Sequence, residues 1–213
     1  MKEVFKGVFR NGGFATIPLT MDSFFGEKIR DGKLRVWEPY RSKLCAAIAR
    51  GLKTMPIKPG SSVLYLGAAN GYTASFVSDL VGSKGGVYCV EISPIAMKDL
   101  LRVCEKRENM IPILADARKP ESYERYVGGK VDVIFEDVAD PDQAEIMLCN
   151  AKLLKKCGKG LIAVKARCID SVEEPTKVYK EVERKFQTIF KILERIDLAP
   201  FEKDHLFIVL ERK

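Results

Sequence analysis

The sequence predicts an α/β fold in which a mostly parallel sheet closes with an antiparallel hairpin and follows a small β-rich module. Three observations support this prediction. Strand-like and helix-like segments alternate from about residue 60 onward. The strands between the helices are almost continuously apolar, which is typical of a parallel sheet covered on both faces. The last two strands lie too close together for a crossover helix and therefore run antiparallel.

The parallel part is predicted to contain five strands and four helices. The strands are residues 62–67, 86–91, 110–116, 131–137 and 160–166, and the helices are 72–81, 94–107, 141–156 and 172–195. Ser93 and Pro94 are a typical N-cap and first-turn proline for the second helix, and Gly158 ends the third. The fourth helix is indicated by apolar residues that lie four or three positions apart, namely Val178, Val182, Phe186, Phe190 and Leu193.

The closing hairpin comprises residues 192–198 and 205–212, which the short segment APFEKD joins. A parallel sheet that ends in such a hairpin is more typical of methyltransferases that use S-adenosylmethionine than of nicotinamide enzymes. Ahead of the sheet, residues 1–55 contain short apolar runs separated by glycines, which indicate the β-rich module with a connecting helix at 41–53. Residues 56–213 form the predicted main domain.

The charge of the chain is unevenly distributed. The 213 residues are 46% hydrophobic and 31% charged, which is ordinary for a globular protein. The net charge of +7 is concentrated in residues 1–55, which hold 11 Lys and Arg against 5 Asp and Glu. The basic character of residues 1–55 indicates an anionic partner, for which nucleic acid is the usual candidate. The alternative is a basic surface that serves solubility alone.

The six cysteines form no C-x-x-C pair, and several lie in apolar runs. We therefore expect buried free thiols, no metal site and a reducing, intracellular compartment. The chain has no stretch of about 18 apolar residues, and its first residues lack the pattern of a secretory signal. We therefore expect no membrane association.

A glycine-containing turn follows the first strand of the main domain and precedes a helix. Gly67 and Gly71 allow the backbone to turn sharply and a ligand to approach main-chain amides. The nicotinamide fingerprint G-x-G-x-x-G is absent, because Tyr72 stands where the third glycine would be. Glu91 lies at the end of the second strand and Asp116 at the end of the third. A carboxylate at the first position commonly binds ribose hydroxyls, and Asp116 could accept from the adenine amine. Exposed loop acids are the alternative.

Four further polar residues are expected at the same edge of the sheet. Asp137 ends the fourth strand and Lys165 the fifth, while His205 begins the reversed last strand and Lys43 lies on the connecting helix. Individually, such an aspartate is often a helix cap, and a lone histidine often only packs. Together, two lysines, a carboxylate and an imidazole would alter one another's protonation, which predicts a catalytic cluster.

Seven segments of the chain resemble, in order, the motifs of fibrillarin in its archaeal form, which has no glycine-arginine tail. They are RVWEPYRSKLCAAIARGL, KPGSSVLYLGAANGYT, VYCVEIS, ILADARKP, VDVIFEDVADPDQ, VKARCID and PFEKDHLFIVLER. The resemblance implies a Rossmann-like methyltransferase fold and methyl transfer from S-adenosylmethionine to ribose 2′-hydroxyls of ribosomal and transfer RNA. The sequence departs from the family pattern at two positions. Tyr72 stands where the family more often has a small residue, and Asp140 stands where it more often has glutamine.

The resemblance also implies site residues and partners. Its catalytic set falls on Lys43, Asp137, Lys165 and His205. Its cofactor contacts fall on Gly67, Ala68, Thr73, Glu91, Ile92, Asp116, Ala117, Asp137 and Gln143. The implied partners are a box C/D guide RNA with its target RNA, a Nop-type scaffold protein and a kink-turn-binding protein of ribosomal type. The implied location is the cytoplasm of an archaeon.

Other interpretations differ in features that the sequence shows. A nicotinamide oxidoreductase would need the missing third glycine. A base or amine methyltransferase usually carries an Asn/Asp-Pro-Pro-aromatic run where this chain has EDVADPDQ. A non-catalytic RNA-binding module would not need the glycine turn together with Glu91 and Asp116. An RNA methyltransferase that works without a guide also remains open.

Overall fold

The computed structural model describes residues 1–213 and contains two sheets. The smaller sheet is antiparallel, with strand order β1-β2-β3-β5-β4. Its strands are β1 (Lys2–Phe5), β2 (Val8–Arg10), β3 (Phe14–Thr16), β4 (Ile29–Arg30) and β5 (Leu34–Trp37). The predicted β-rich character of the amino-terminal region is therefore confirmed.

The larger sheet has seven strands and is flanked by helices. Its strands are β6 (Ser62–Leu66), β7 (Gly86–Glu91), β8 (Met110–Leu114), β9 (Val131–Glu136), β10 (Leu154–Lys165), β11 (Phe190–Asp197) and β12 (His205–Arg212). The α-helices are α1 (Lys43–Ala49), α2 (Tyr72–Val81), α3 (Pro94–Cys104), α4 (Glu124–Val127), α5 (Gln143–Asn150), α6 (Ala166–Ile169) and α7 (Pro175–Phe186). All of these helices are too short or too polar to span a lipid bilayer.

The strand order of the larger sheet is β11-β12-β10-β9-β6-β7-β8. Neighbours from β10 through β9, β6 and β7 to β8 pair in parallel. The chain leaves β6 toward β7 on one side and later returns to β9 on the other. Ligands of open α/β sheets bind beside the carboxyl ends of the strands at such a reversal.

β12 is inserted between β10 and β11 and runs antiparallel to both. This confirms the predicted closing hairpin. In the β10–β12 pair, Lys165 lies directly opposite His205. Directly opposed residues of an antiparallel pair project from the same face of the sheet, so both side chains point to one side. The reversed strand therefore begins at the edge where β10 ends.

Two of the predicted helices extend too far toward the carboxyl terminus. The helix predicted for 141–156 ends at Asn150, and β10 already begins at Leu154, with a register shift against β9 before Lys159. The helix predicted for 172–195 ends at Phe186, and Phe190 begins β11. The rings of Phe186 and Phe190 still pack together, with centroids 6.2 Å apart. An apolar spacing of four therefore continues through the turn without a continuous helix.

One apolar cluster runs through both sheets. Trp37 of β5 is 1% exposed and stacks on Phe76 of α2, with ring centroids 4.9 Å apart and an interplanar angle of 7°. Beside this stack, Arg35 forms buried ion pairs with Glu27 and with Asp79 of α2, the latter at 3.1 Å. The amino-terminal sheet is thus packed against the larger one through α2. The boundary at residue 55 stays a prediction.

The cysteines are free, but only some are buried. Cys45 and Cys89 are buried and Cys104 is half-buried. Cys149, Cys157 and Cys168 are exposed, so the expectation of buried thiols was wrong for these three. Cys149 and Cys168 lie at exposed positions of α5 and α6, and Cys157 lies next to exposed lysines in the first part of β10.

Candidate active site

The turn after β6 needs glycine for both conformation and space. Gly67 has φ +79°, and a Cβ at this position would lie 3.0 Å from the backbone of Asp137 and Val138. Any other side chain would strain the turn and push it away from the end of β9. Gly71, with φ +91°, precedes the first turn of α2. Gly67 therefore holds the turn close to the end of β9, and Gly71 holds it close to Leu100 of α3, where a Cβ would lie 2.9 Å from that side chain.

Glu91 is held by main-chain amides at the end of β7. Its Oε2 accepts from the backbone N–H of Ala69 and its Oε1 from that of Ser93, both at 2.8 Å. The residue is 8% exposed. Each carboxylate oxygen retains lone-pair capacity after one such bond. The carboxylate is therefore fixed in orientation and can still accept from a pair of hydroxyl groups.

Asp116 follows β8 and is paired with Arg118. The guanidinium donates to both carboxylate oxygens, with Nε 3.0 Å from Oδ1 and Nη2 3.0 Å from Oδ2. This hydrogen bonding lowers the pKa of Asp116. Arg118 also lies 3.7 Å from Asp140, the residue that departs from the family motif. Asp116 is thus held as a carboxylate, with Asp140 on the other side of the same guanidinium.

These strand ends enclose a cavity of about 400 Å³. Eight of the predicted residues line it: Lys43, Gly67, Glu91, Ile92, Asp116, Ala117, Asp137 and Lys165. Its volume is within the range of small-molecule sites. A larger cavity of about 680 Å³ lies near the starts of β6, β7 and β8 and contains none of the predicted residues.

Asp137 contacts both predicted lysines. The Nζ of Lys165 lies 3.0 Å from its Oδ1 and donates to its main-chain oxygen at 2.8 Å. The Nζ of Lys43 lies 3.3 Å from the same Oδ1. The three side chains are only 11% to 18% exposed. One carboxylate therefore balances two ammonium groups where water has limited access.

Lys43 remains an ammonium group in this environment. Burial alone would lower its pKa, but the carboxylates of Asp137 and Glu202 outweigh burial and raise the pKa. Glu202 lies 3.6 Å from Nζ. Glu202 belongs to the segment between β11 and β12. As one acid within the run PFEKD, it gave no indication in the sequence that it would contact Lys43. Lys43 can therefore supply positive charge to the cavity.

His205 is near the cluster but does not hydrogen bond to it. Its Nδ1 lies 2.7 Å from the main-chain oxygen of Lys203, which makes Nδ1 the donor. The ring projects from the same face of the sheet as Lys165. The structure therefore places three of the four predicted catalytic residues in contact and the fourth beside them. Their catalytic roles stay predictions.

Three residues predicted to contact a cofactor do not line the cavity. Gln143 is fully buried, with Nε2 donating to Val138 O at 2.8 Å and Ala163 O at 3.1 Å. Its Oε1 accepts from the Lys165 backbone N–H at 2.9 Å. Thr73 donates to Ser42 at 3.1 Å, and Ala68 is 4% exposed. Gln143 therefore braces the end of β10 from behind the cavity wall.

Glu136 was not predicted as a site residue. It is fully buried beside Asp137, and neither of its carboxylate oxygens has a hydrogen-bond partner. Burial raises its pKa well above 4.5, although the ammonium of Lys165 acts in the opposite direction. Strand alternation signals this burial, because Glu136 shares a face with Ile134. Burial therefore favours the protonated form of Glu136, and the ion pairs with Lys43 and Lys165 are made by Asp137.

The family model described as Fibrillarin matches residues 6–213. The chain belongs to the fibrillarin family. A relative from Pyrococcus furiosus, named fibrillarin-like rRNA/tRNA 2′-O-methyltransferase, is 53% identical over 192 residues, which is 88% of this chain and 84% of the relative. The predicted family is therefore confirmed.

Two solved fibrillarins have the same fold. Aeropyrum pernix fibrillarin with natively bound S-adenosyl-L-methionine is 43% identical, with a TM-score of 0.85 over 93% of this chain and 88% of that one. The fibrillarin of a fibrillarin/Nop5p complex is 40% identical, with a TM-score of 0.93 over the whole of both chains. The predicted fold class, a methyltransferase-type sheet with an amino-terminal β module, is confirmed.

Proposed function

We propose that this fibrillarin transfers a methyl group from S-adenosylmethionine to ribose 2′-hydroxyls of pre-ribosomal and transfer RNA. The observation that carries the proposal is the contact of Asp137 with Lys43 and Lys165 at the rim of the 400 Å³ cavity. The name of the Pyrococcus furiosus relative and the cofactor of the Aeropyrum pernix structure support it.

The residues of the cavity fit the cofactor. Gly67 lines the cavity without a side chain, Glu91 can accept from two ribose hydroxyls, and Asp116 can accept from the adenine amine. When bound, S-adenosylmethionine supplies a methyl group on a positively charged sulfur. The side chains of Asp137 and Lys165 then face the open side of the cavity, where an RNA ribose can enter.

Lys165 is the group that meets the reacting hydroxyl. Its ammonium has three donors; the main-chain oxygen of Asp137 accepts one at 2.8 Å, and Oδ1 of the same residue lies 3.0 Å from Nζ as an ion-pair partner. The third donor is free to contact the 2′-oxygen and fix its line of approach. Holding reacting atoms at attack distance in this way contributes about 7–11 kcal/mol to a displacement.

Lys43 and His205 complete the site. The charge of Lys43 lowers the pKa of the bound hydroxyl, and Asp137 keeps both ammonium groups in place. The Nε2 of His205 is free of the Lys203 contact and positions the ribose beside Lys165. As the new carbon–oxygen bond forms, the carbon–sulfur bond of the methyl donor would break, and the hydroxyl proton would pass to the Asp137 carboxylate or to water within hydrogen-bond reach.

Target choice requires a component besides this chain, because a ribose hydroxyl carries no sequence information. The proposal therefore includes a box C/D guide RNA that pairs with the target, a Nop-type scaffold protein and a kink-turn-binding protein, acting in the cytoplasm. The fibrillarin/Nop5p complex supports the scaffold. The basic residues 1–55 support contact with RNA, and free thiols support a reducing compartment.

The alternative within the same chemistry is methylation without a guide. An oxidoreductase is less favoured, because Tyr72 begins α2 where a nicotinamide site would have its third glycine. Guided and unguided methylation differ in whether the modified nucleotide follows the guide sequence.

The test is a methylation assay with the guide RNA, the scaffold and the kink-turn protein, in which the position of the 2′-O-methyl group is mapped. We expect the modification to move when the guide is reprogrammed. Lys165→Ala should lower the rate at least about 100-fold with unchanged cofactor affinity by calorimetry, while Lys155→Ala, at an exposed position of the same strand, should not.

Three outcomes would contradict parts of the proposal. Methylation that ignores the guide would favour the unguided alternative. A Lys165→Ala rate near that of the wild type would reject the role of Lys165. Binding of NAD instead of S-adenosylmethionine would reject methyl transfer altogether. Lys165→Arg gives further information, because arginine keeps the charge but replaces the compact ammonium with a planar guanidinium.

A further inference from the structure

Tyr40 exposes a large aromatic ring beside the candidate active site. It lies in the short 3-10 turn Pro39–Arg41, immediately before Ser42 caps α1. The residue is 68% exposed. Its ring packs against Phe201 at a centroid distance of 5.0 Å and an interplanar angle of 71°. An edge-to-face contact of this kind leaves much of the tyrosine free.

The contact with Phe201 ties Tyr40 to the catalytic cluster. The next residue, Glu202, lies 3.6 Å from the Nζ of Lys43, which in turn contacts Asp137. Tyr40 and Lys43 thus contact two consecutive residues of the segment that connects β11 to β12. That segment leads directly into His205, which lies opposite Lys165. The exposed ring therefore lies outside the cavity lining, next to a segment that contacts Lys43 and leads into His205.

The surroundings of the ring suit RNA. Arg41, the next residue, is exposed and lies over the Tyr72 ring, with its guanidinium carbon 4.2 Å from the centroid. Lys203 is also exposed. Glu202 and Asp204, the acids of the same segment, are paired with Lys43 and Arg167. Two exposed cations against one exposed acid, Glu38, together with an exposed aromatic ring make this surface complementary to a polyanion with sugar faces.

We propose that Tyr40 contacts the target strand at the ribose next to the one that is methylated. Its ring packs on the sugar, and its phenol hydroxyl hydrogen bonds to that neighbour's 2′-hydroxyl. RNA paired in an A-form duplex presents its 2′-hydroxyls along a wide, shallow minor groove, so an exposed side chain can reach several of them. Tyr40 thereby sets the register of the target ribose over Lys165. This inference rests on the proposed function.

The first test measures the methylation rate in a single turnover with the target already paired to the guide. Pairing supplies most of the target affinity, so loss of a docking contact slows the reaction step more than it weakens binding. We expect Tyr40→Ala to lower the rate about tenfold and Tyr40→Phe about threefold. The affinity for S-adenosylmethionine and for the scaffold protein should not change. Tyr126→Ala, at a 51% exposed tyrosine of α4 whose hydroxyl accepts from Arg125, is the matched control.

The second test replaces single target riboses with 2′-deoxyribose on either side of the modified nucleotide. At one neighbouring position, we expect the deoxy sugar to slow the wild type about threefold and to add nothing in Tyr40→Phe, because both changes remove the same hydrogen bond. Additive effects at every position would overturn the inference.

Two further results would also overturn it. The first is a Tyr40→Ala rate equal to that of the wild type. The second is a weakened affinity for the scaffold protein with an unchanged rate, which would indicate a protein-docking residue. In either case guide-dependent methylation by the wild type would leave the proposed function intact. Absence of methylation by the wild type would instead remove the proposed function.

Discussion

Asp137 contacts two ammonium groups because β9 and β10 end, and α1 begins, at one edge of the sheet. Lys165 is the last residue of β10, and Lys43 the first of α1. Strand ends and polar residue types were enough to predict this meeting from the sequence. The hydrogen bond of His205 to Lys203 was not predictable, because it depends on how a six-residue connection folds.

The buried acid next to Asp137 has a measurable cost for the fold. The pKa of Glu136 in the folded chain is raised well above 4.5, chiefly by burial. Above pH 4.5 the unfolded chain releases a proton that the folded chain retains. Stability should therefore fall as the pH rises from 4.5 toward the folded pKa, by about 1.4 kcal/mol per pH unit from this residue alone.

We predict that Glu136→Gln removes this dependence. Urea unfolding at pH 4 to 8 should show wild type and variant converging at the acid end, since both side chains are neutral there, and the variant gaining relative stability as the pH rises. Glu181→Gln, at an exposed helix position, serves as the control and should follow the wild type. Parallel stability curves for Glu136→Gln and wild type would show that Glu136 is ionised in the folded chain.

At the scale of elements, α5 holds β10 through one side chain. Gln143 begins the helix and makes hydrogen bonds to Val138 O, Ala163 O and Lys165 N. We predict that Gln143→Met, which keeps the length and removes the bonds, lowers the free energy of unfolding by about 2–4 kcal/mol. The methylation rate should fall about tenfold, because the end of β10 carries Lys165.

The same variant separates two roles of Gln143. If Gln143 only supports the end of β10, the Gln143→Met variant should bind S-adenosylmethionine with an affinity within about threefold of wild type, as measured by calorimetry. A cofactor contact, which the family resemblance implies, predicts a large loss of affinity with little change in stability. Denaturant unfolding and calorimetry on one preparation therefore decide between them.

Element types were predictable from apolar periodicity, whereas two boundaries were not. β10 extends back to Leu154, which pairs with Val131 of β9, and residues 155–158 form an irregularity before pairing resumes at Lys159. Phe186 and Phe190 share a core although one ends a helix and the other begins a strand. Periodicity reports which residues are buried, and a buried residue can belong to either element.

At the scale of the whole molecule, a buried charge network joins the two sheets. Arg35 of β5 pairs with Glu27 and Asp79, and Asp79 also pairs with Arg107 at 2.6 Å. These contacts link segments far apart in the chain, which the uneven charge of residues 1–55 did not reveal. Burial alone would raise the pKa of Glu27, but hydrogen bonds from Arg35 and Ser23 lower it to about 2.

We predict that the ion pair between Glu27 and Arg35 is lost in acid. A folded pKa below the usual 4.5 stabilises the fold above pH 4.5, and that stabilisation disappears as the pH falls toward 2. Glu27→Gln should lower the free energy of unfolding by about 2–3 kcal/mol at pH 7. Near pH 2 it should equal the wild type. Asp31→Asn, at an exposed acid of the same sheet, should have little effect at either pH.

The position of β12 also bears on how the molecule is made. This strand is the last of the twelve, yet it lies between β10 and β11 in the interior of the larger sheet. During synthesis, β10 therefore emerges from the ribosome with one row of amide and carbonyl groups unpaired, and Lys165 is already in place without its opposite neighbour. Until β12 inserts, that open edge can pair with another chain. Assembly of the active site and protection of the nascent chain against aggregation thus depend on the same late event.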